Sequence, residues 1–465
     1  MLARLTALCA LIAVLVLGAA APASAARSQP LYFDAPELRD PGQRGAVLDE
    51  LQSLGVRAVR LVVYWQDVAP DPERNNPPAV DLSDPAAYNW GAYDEAVVAA
   101  RDRGFDILVT LTTPGPRWAM KARTDRVTRP SPEQFRRFAE AAGRRWGDRV
   151  GAWAAINEAN HPDFLGPQYS RGGRPLSPRI YRGLFQAMDK GLEASGNGGD
   201  TLLMGETAPR GTGKVVHPIT FLRGALCLSS KWKKSSKCGR LDVDGWAHHP
   251  YTTKVGPWFR PPSPNDVTIG VLPRLTRALD RATRAGAFTR RSKMPLWLTE
   301  FGIQSTPDRY FGVSLAKQVE FRAIAERMAW SNPRVRAFSQ YLMRDDRPVE
   351  GQTGRSRYGG FESGLRFSTG REKPALSGFR LALSVLRQGR SRVSVWGVVR
   401  PAGEPVTAEV WRQDRNGRGS FRRLKTVRTD RRGYLTFRSA YRKGRRYQLR
   451  WNGESGYPVR IYKRP

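Results

Sequence analysis

The stretch PEQFRRFAEAAGRRWGDRVGAWAAINE (132–158) contains the structural unit that repeats through most of the chain. Residues 132–146 begin at a proline and end before Gly147, which predicts an amphipathic helix. Residues 152–157 form a short apolar run, which predicts a buried strand, and this run leads directly into Glu158. A helix followed by a strand that ends in a carboxylate indicates an α/β fold with reactive groups at strand ends.

The same alternation extends from Leu31 to about Leu386. We predict strands at 31–34, 58–64, 107–112, 152–157, 201–206, 243–248, 296–300 and 335–342. We predict helices at 43–54, 93–103, 132–146, 178–194, 271–285 and 315–330, with a closing helix at 375–386. Eight strands that alternate with helices predict a (β/α)₈ TIM barrel, here over residues 27–388.

The pattern changes after Gln388-Gly389-Arg390-Ser391, which has the composition of a linker. Short alternating runs separated by Gly-containing turns follow, and no helix-period segment is found among them. Residues 391–465 are therefore predicted to form a small all-β, sandwich-like domain. We expect this domain to fold independently and to be dispensable for any chemistry that the barrel carries out on small molecules.

The first 26 residues are typical of a secretory signal peptide. Arg4 supplies a positive charge, residues 8–17 are apolar, and Ala23-Ser24-Ala25 resembles a cleavage site. An uncleaved anchor is the alternative, and no later stretch is apolar enough to span a membrane. We therefore predict a secreted, extracellular protein.

The three cysteines and four histidines limit the cofactor chemistry of the chain. Cys9 lies in the predicted signal peptide, which leaves Cys227 and Cys238 in the mature protein. Because an even pair of cysteines in an exported protein is typically oxidised, we predict a Cys227–Cys238 disulfide. So few histidines, and the lack of a nucleotide-binding fingerprint, predict no metal and no cofactor.

The formal net charge is +35, with 77 lysines and arginines. Such a charge is compatible with nucleic acid, an anionic polysaccharide or an anionic cell surface as a partner. The basic residues are spread along the chain, and no nucleic-acid recognition motif is present. We therefore expect no specific nucleic-acid binding and leave the anionic polysaccharide or surface open; the oligomeric state is not predicted.

Reactive side chains cluster at the predicted carboxyl ends of the strands, where TIM barrels carry their active sites. The candidate site residues are Arg60, Trp65, Asn157, Glu158, His249, Tyr251, Glu300 and Tyr341.

Glu158 and Glu300 end the fourth and seventh strands, which lie on opposite sides of an eight-stranded barrel. Glycoside hydrolysis requires one carboxylic acid to protonate the leaving oxygen and one carboxylate to attack or to activate water. Asn157 is placed to hold a sugar hydroxyl, and Arg60 can keep Glu300 ionised. Glu158 has no cation close to it in the sequence, as suits a proton donor.

Four stretches resemble clan A of the glycoside hydrolases, which includes the cellulase and β-mannanase family and the β-xylosidase family. They are Val59-Arg60-Leu61, Trp153 to Glu158, His249-Pro250-Tyr251, and Leu296 to Gly302. The resemblance implies that Glu158 is the acid/base, Glu300 is the nucleophile, Arg60 supports the nucleophile, and His249 and Tyr251 contact substrate or nucleophile. It further implies a carbohydrate substrate and retention of anomeric configuration.

The sequence departs from the clan at Gln340-Tyr341, where many relatives have a tryptophan that forms a sugar platform. Tyr341 is the candidate in its place.

Several alternatives remain open. Glu206 ends the fifth strand and is expected to play a structural role, and His248 is equally compatible with the site and with the core. Tryptophans such as Trp65, Trp118 and Trp258 can stack on sugar or anchor a loop. Asn160 and His161 can shape the side of the leaving group. At the level of function, a non-catalytic polysaccharide-binding protein or a cell-wall-associated protein on the same barrel is the alternative to an enzyme.

Overall fold

The computed structural model describes residues 31–463 of the 465-residue chain. The predicted signal peptide therefore lies outside the described residues. Within residues 31–463, no helix has the length and apolar character needed to cross a membrane.

Eight parallel strands form a closed barrel, in which each strand pairs with the next and β8 pairs with β1. At this seam Asp34 lies opposite Tyr341, so both strands end at the same rim. This confirms the predicted TIM-barrel architecture. The strands are β1 (Leu31–Asp34), β2 (Ala58–Tyr64), β3 (Asp106–Thr112), β4 (Ala152–Ala155), β5 (Thr201–Thr207), β6 (Gly245–His248), β7 (Leu296–Leu298) and β8 (Val335–Tyr341).

One longer helix follows each barrel strand in the chain, and α2 is a short extra turn directly after β2. The helices are α1 (Pro41–Ser53), α2 (Trp65–Val68), α3 (Gly91–Asp102), α4 (Pro132–Trp146), α5 (Ser177–Ala194), α6 (Pro218–Ala225), α7 (Pro273–Arg284), α8 (Leu315–Trp330) and α9 (Pro374–Arg380).

Helix α4 shows how the sequence determines such an element. The side chain of Ser131 accepts a hydrogen bond from the backbone N–H of Gln134 at 3.3 Å, which caps the helix. Phe135, Phe138 and Trp146 are buried on the face that packs against the barrel. The following strand β4 is buried along its whole length, because side chains on both of its faces are covered.

The C-terminal domain is one sheet in the order β12-β11-β14-β16-β9-β10-β13, with β15 paired to β14. Its buried residues form a core of their own, in which Val395 of β10 and Val410 of β11 belong to one cluster although their strands are not neighbours. The C-terminal domain is therefore all-β with a core of its own, as predicted, and its strands form one sheet. Its strands are β9 (Leu381–Gln388), β10 (Arg392–Val399), β11 (Thr407–Gln413), β12 (Arg422–Arg428), β13 (Tyr434–Ala440), β14 (Arg446–Trp451), β15 (Glu454–Ser455) and β16 (Val459–Lys463).

The closing helix predicted at 375–386 is wrong in its second half. Helix α9 ends at Arg380, and Leu381–Gln388 forms β9, which pairs with β10 and β16. The predicted linker at Gln388 to Ser391 is the hairpin turn between β9 and β10, where Gly389 has a φ of +61°. The all-β sheet thus starts ten residues earlier than 391, at Leu381.

Helix α8 joins the two parts of the chain through buried ion pairs. Glu326 of α8 is paired with Arg322 on the same helix and with Arg400 of the C-terminal domain. Glu320 accepts from Arg460 of β16 at 2.6 Å. Because these carboxylates are almost fully buried, removing the C-terminal domain would leave Glu320 without Arg460 and Glu326 with Arg322 alone.

Cys227 and Cys238 form a disulfide, as predicted. The bridge closes the segment that follows α6, and its two ends are 11 residues apart in sequence. Its effect is therefore local to this loop.

Candidate active site

A cavity of about 320 Å³ lies at the carboxyl ends of the barrel strands. Asp34 at the end of β1, Tyr64 at the end of β2 and Tyr341 at the end of β8 form part of its wall. Glu158 and Glu300, which follow β4 and β7, face the same space. The rule that TIM barrels carry their sites at the carboxyl ends of the strands, here called the strand-end rule, therefore locates the cavity correctly.

Glu158 is positioned by a tight turn rather than by the strand itself. Strand β4 ends at Ala155, because Ile156 and Glu158 have φ values of +54° and +40° in the left-handed region. The backbone N–H of Glu158 donates to the carbonyl of Glu206 at 2.9 Å, which fixes the turn against β5. A left-handed conformation at a β-branched residue such as Ile156 is costly, so the surrounding structure must hold it.

Glu300 is held by donors on both of its oxygens. Oε1 accepts from Nη1 of Arg60 at 2.6 Å, and Oε2 accepts from the hydroxyl of Tyr251 at 3.0 Å. Burial by itself raises the pKa of Glu300, but the positive charges of His249 and Arg60 and the two hydrogen bonds bring it below its ordinary value. Glu300 is therefore a carboxylate at neutral pH.

His249 lies between the two candidate catalytic carboxylates. Its Nδ1 is 3.0 Å from Oε1 of Glu158 and 3.5 Å from Oε2 of Glu300. Burial lowers the pKa of His249, but the charges of Glu300 and Glu158 raise it above the ordinary value. Carboxylate oxygens of the two glutamates and a ring nitrogen of His249 all lie within 4.8 Å of one another. The three groups can therefore exchange protons and share charge.

Among residues 31–463, this trio is also the group whose donor atoms are close enough to hold a metal ion. Its histidine nitrogen is already within hydrogen-bond distance of Glu158. The expectation that the site uses no metal stays a prediction.

Arg60 is the centre of a buried polar network. Its side chain is completely buried and contacts three carboxylates, those of Asp34, Glu206 and Glu300. It also donates to the side-chain oxygen of Asn157 at 2.7 Å. One guanidinium therefore orients the candidate nucleophile and the residue next to the candidate acid.

Asp34 shares this network and titrates near neutral pH. Burial raises the pKa of Asp34 to about 7, and the neighbouring charges of Glu300 and Glu206 add to this effect, while Arg60 opposes it. One cation cannot balance three buried carboxylates, so a proton on Asp34 relieves the excess negative charge.

Tyr341 lines the cavity with an aromatic ring, and Tyr251 packs beside it. The ring of Tyr341 meets that of Tyr251 at 90° with centroids 6.4 Å apart, and it meets that of Phe361 at 5.1 Å. Burial and the charge of Glu300 raise the pKa of Tyr251 far above its ordinary value, so its hydroxyl stays a donor. Tyr341 is thus placed at the cavity, as the sequence predicted.

Trp65 does not reach the cavity, and its prediction as a substrate-binding residue is wrong. It begins α2 and is fully buried, stacked at 5.3 Å on Phe138 and edge-on to Trp118 at 5.8 Å. Trp118 is likewise a buried anchor.

His248 and Asn160, for which the sequence left both a site role and a structural role open, have structural roles. Both ring nitrogens of His248 are bonded, to Thr207 and to the carbonyl of Val267, each at 2.8 Å. Burial lowers the pKa of His248 to about 3, which keeps the ring neutral. Asn160 is fully buried and bonded to backbone groups of neighbouring loops, whereas His161 lines the cavity.

Several lining residues were not identified from the sequence. Asp34 and Tyr64 end β1 and β2, so both carry the same strand-end signal as Glu158 and could have been found, whereas the others lie beyond the strands without a distinguishing pattern. They are Asp34, Arg39, Tyr64, Asp163, Phe164 and Phe361.

No protein-family model and no curated protein matches this chain. Among solved structures, a glucosidase from Croceicoccus marinus is similar with a TM-score of 0.54 and 15% identity, covering 92% of this chain and 96% of that chain. The GH39 enzyme from Xanthomonas axonopodis pv. citri is similar with a TM-score of 0.53 and 15% identity, covering 92% and 95%. These similarities show the fold: the chain shares the barrel and β-domain architecture of these two structures.

Proposed function

We propose that this protein is an exported retaining glycoside hydrolase, with Glu300 as nucleophile and Glu158 as acid/base. The observation that carries the proposal is the pair of carboxylates at one cavity, with oxygens no more than 4.8 Å apart. Retaining enzymes place their two carboxyl groups about 5–5.5 Å apart, whereas inverting enzymes need about 6.5–9.5 Å to admit a water molecule. The close spacing supports direct attack on the sugar.

The environments of the two glutamates support this assignment of roles. Glu300 accepts from Arg60 and Tyr251, which stabilise its negative charge, and only 10% of its side chain is exposed. The side chain of Glu158 is 18% exposed, and none of the hydrogen bonds that Arg60 donates goes to Glu158. A nucleophile must be ionised, and an acid/base must exchange its proton with the leaving group and with water.

In the first step an oxygen of Glu300 forms a bond to the anomeric carbon while the glycosidic C–O bond breaks. Glu158 gives its proton to the departing oxygen, which leaves as an alcohol. The result is a sugar ester of Glu300 and an ionised Glu158. Glu300 loses its negative charge when the ester forms, so its interactions with Tyr251 and Arg60 weaken. Glu158 gains a negative charge, which His249 can stabilise because its Nδ1 is 3.0 Å from Oε1 of Glu158.

In the second step Glu158 removes a proton from a water molecule. The water oxygen bonds to the anomeric carbon, the ester bond to Glu300 breaks, and the carboxylate returns to Arg60 and Tyr251. Two displacements at one carbon restore the original configuration.

The carbohydrate substrate is a poly- or oligosaccharide or a simple glycoside. The similarity in fold to a glucosidase and to a GH39 enzyme supports this class, as does the aromatic wall of Tyr341 and Phe361. Export is supported by the signal-like N-terminus and by the Cys227–Cys238 disulfide, which is typical of oxidising compartments.

Hydrolysis of a panel of aryl β-glycosides tests the proposal. The wild-type protein should release the phenol from the aryl glycoside of at least one sugar, and the Glu300→Gln variant should be nearly inactive. Glu158→Gln should lose least on substrates whose leaving group needs no proton. Proton NMR of the first-formed sugar should show the configuration of the substrate; an inverted first product, or equal activity in the Glu300→Gln variant, contradicts the proposal.

A further inference from the structure

A second, larger concave site lies outside the catalytic cavity, where the barrel meets the C-terminal domain. This junction groove has a volume of about 1170 Å³ and runs between α7, α8 and the strands β9 and β10. Trp258 and Arg260 line it at the loop before α7, and Lys293 and Arg334 line it near the starts of β7 and β8. None of its lining residues belongs to the catalytic cavity.

The charge of the junction groove is opposite to that of the catalytic cavity. Among the described residues that line it, Asp280 is the only acidic one, and it is paired with Arg334 at 2.7 Å. The catalytic cavity is lined by four carboxylates and only two arginines. The cationic residues of the groove are Arg260, Lys293, Arg327, Arg334, Arg336 and Arg387.

Four of these cations have no acidic partner among residues 31–463. Arg260, Lys293 and Arg336 are exposed, and none forms an ion pair within 4.0 Å with a described carboxylate; half-buried Arg387 lies over the ring of Tyr441 at 4.2 Å instead. Like charges gathered around one concavity repel each other, so an anion bound there removes an unfavourable interaction as well as adding a favourable one.

Two buried polar groups in the groove wall also lack partners. Nη2 of Arg334 and Nε1 of Trp258 are inaccessible to solvent and make no hydrogen bond within the described chain. Buried donors are normally bonded, and acceptors of a bound ligand can supply the missing partners after a small side-chain movement.

We propose that the junction groove binds an anionic polysaccharide that carries carboxylate groups on its sugar rings. The volume exceeds the about 300–1000 Å³ typical of small-molecule sites, which favours a polymer over a single small anion. Sites for single-stranded nucleic acid combine a cationic groove with several aromatic side chains on which successive bases stack, and Trp258 is the one aromatic residue among the described residues that line this groove. A carboxylated sugar chain needs cations and one stacking face, and the groove offers both.

Binding of polygalacturonate to the full mature protein tests this proposal. Its highly methyl-esterified form is the matched probe, because it has the same backbone with most charges removed. The measurements use a Glu300→Gln background so that hydrolysis does not consume the probe. The groove variant Arg260→Ser/Lys293→Ser/Arg336→Ser removes three exposed cations. The control variant Arg418→Ser/Arg422→Ser/Arg428→Ser removes three exposed cations on or beside β12, at the far edge of the sheet.

The groove variant should bind polygalacturonate about tenfold more weakly, because each exposed charge contributes a small amount. The control variant should stay within about twofold of the parent. Added salt should weaken binding of the parent, and the esterified form should bind poorly. In the wild-type Glu300 background, neither variant should change kcat/KM on a small aryl glycoside, which separates this test from that of the catalytic mechanism.

Equal losses in the two variants would show general attraction to a basic protein and would overturn the proposal. So would equal binding of the esterified probe. Tighter, groove-dependent binding of a single-stranded polynucleotide that displaces polygalacturonate would assign the groove to nucleic acid instead.

Discussion

Arg60→Lys tests whether one buried guanidinium controls the ionisation of the nucleophile. Arg60 makes six hydrogen bonds, to Thr110, Asp34, Asn157, Glu300 and, twice, Glu206. A lysine carries three donors on one nitrogen, so at least half of these bonds are lost while the positive charge remains.

A hydrogen bond to a charged group contributes about 1.5–3 kcal/mol. If the bond to Glu300 is among those lost, kcat/KM should fall about 10- to 150-fold. The pH profile gives a second, independent prediction. Glu300 must be ionised to attack, so activity falls as the pH drops through its pKa. Arg60 helps to hold that pKa below its ordinary value against the effect of burial, so its replacement raises the pKa, and the acidic limb should move to higher pH.

The assay is kcat/KM on an aryl glycoside as a function of pH, with Arg182→Lys as a matched control. Arg182 is also buried, but it donates to the backbone carbonyls of Ala225 and Gly239 and to no carboxylate. Its variant should lose stability without moving the acidic limb. An Arg60→Lys enzyme that folds, and whose acidic limb stays in place, would refute the reasoning.

Four further outcomes are expected. Tyr251→Phe keeps the ring but removes the donor to Glu300, so kcat/KM should fall about tenfold with little change in melting temperature; an unchanged rate would exclude this role. Glu326→Ala leaves two arginines without their shared buried partner and should cost about 3–5 kcal/mol in denaturant unfolding, whereas loss of an exposed pair costs at most about 1 kcal/mol. Thiol titration of the denatured, unreduced mature protein should find no free thiol, and reduction of Cys227–Cys238 should lower stability by at most about 3 kcal/mol. A chain truncated after residue 388 should be insoluble, contrary to our expectation from the sequence, because it keeps β9 without β10 and uncovers α8; a soluble, active truncation would restore that expectation.

The strand-end rule explains why much of the site could be predicted from sequence. Because parallel strands bring their carboxyl ends to one rim, Asn157, Glu158, His249 and Glu300 are neighbours in space although they are far apart in the chain. The rule depends only on strand order, which the alternation of strands and helices reveals.

Trp65 shows where the rule fails. It stands one residue beyond β2, as a rim residue should, but the chain turns there into α2 and directs the ring inward against α4. An aromatic ring at this position gains more from burial than from exposure at the rim, and the direction of a single turn is not encoded in hydrophobic pattern.

Strand β9 shows a second limit. The run LALSVL (381–386) is apolar apart from Ser384, because one face packs in the sheet's own core and the other faces α8. A strand covered on both faces has no alternation, so its pattern does not distinguish it from a buried helix. The left-handed turns at Ile156 and Glu158, which aim the candidate acid into the cavity, likewise carry no signal in composition.

Trapping the glycosyl-enzyme tests the central claim most directly. A 2-fluoro-substituted glycoside with a strongly activated aryl leaving group, made from a sugar that the protein hydrolyses, should form the ester faster than the ester is released. The fluorine removes stabilising hydrogen bonds at the 2-position and slows both displacements, whereas the activated leaving group speeds only the first. Peptide mass spectrometry should then find one sugar attached to Glu300 and none in the Glu300→Gln variant. A sugar attached to another residue, such as Glu206, or an active enzyme that forms no covalent adduct, would contradict the assignment of Glu300 as the nucleophile.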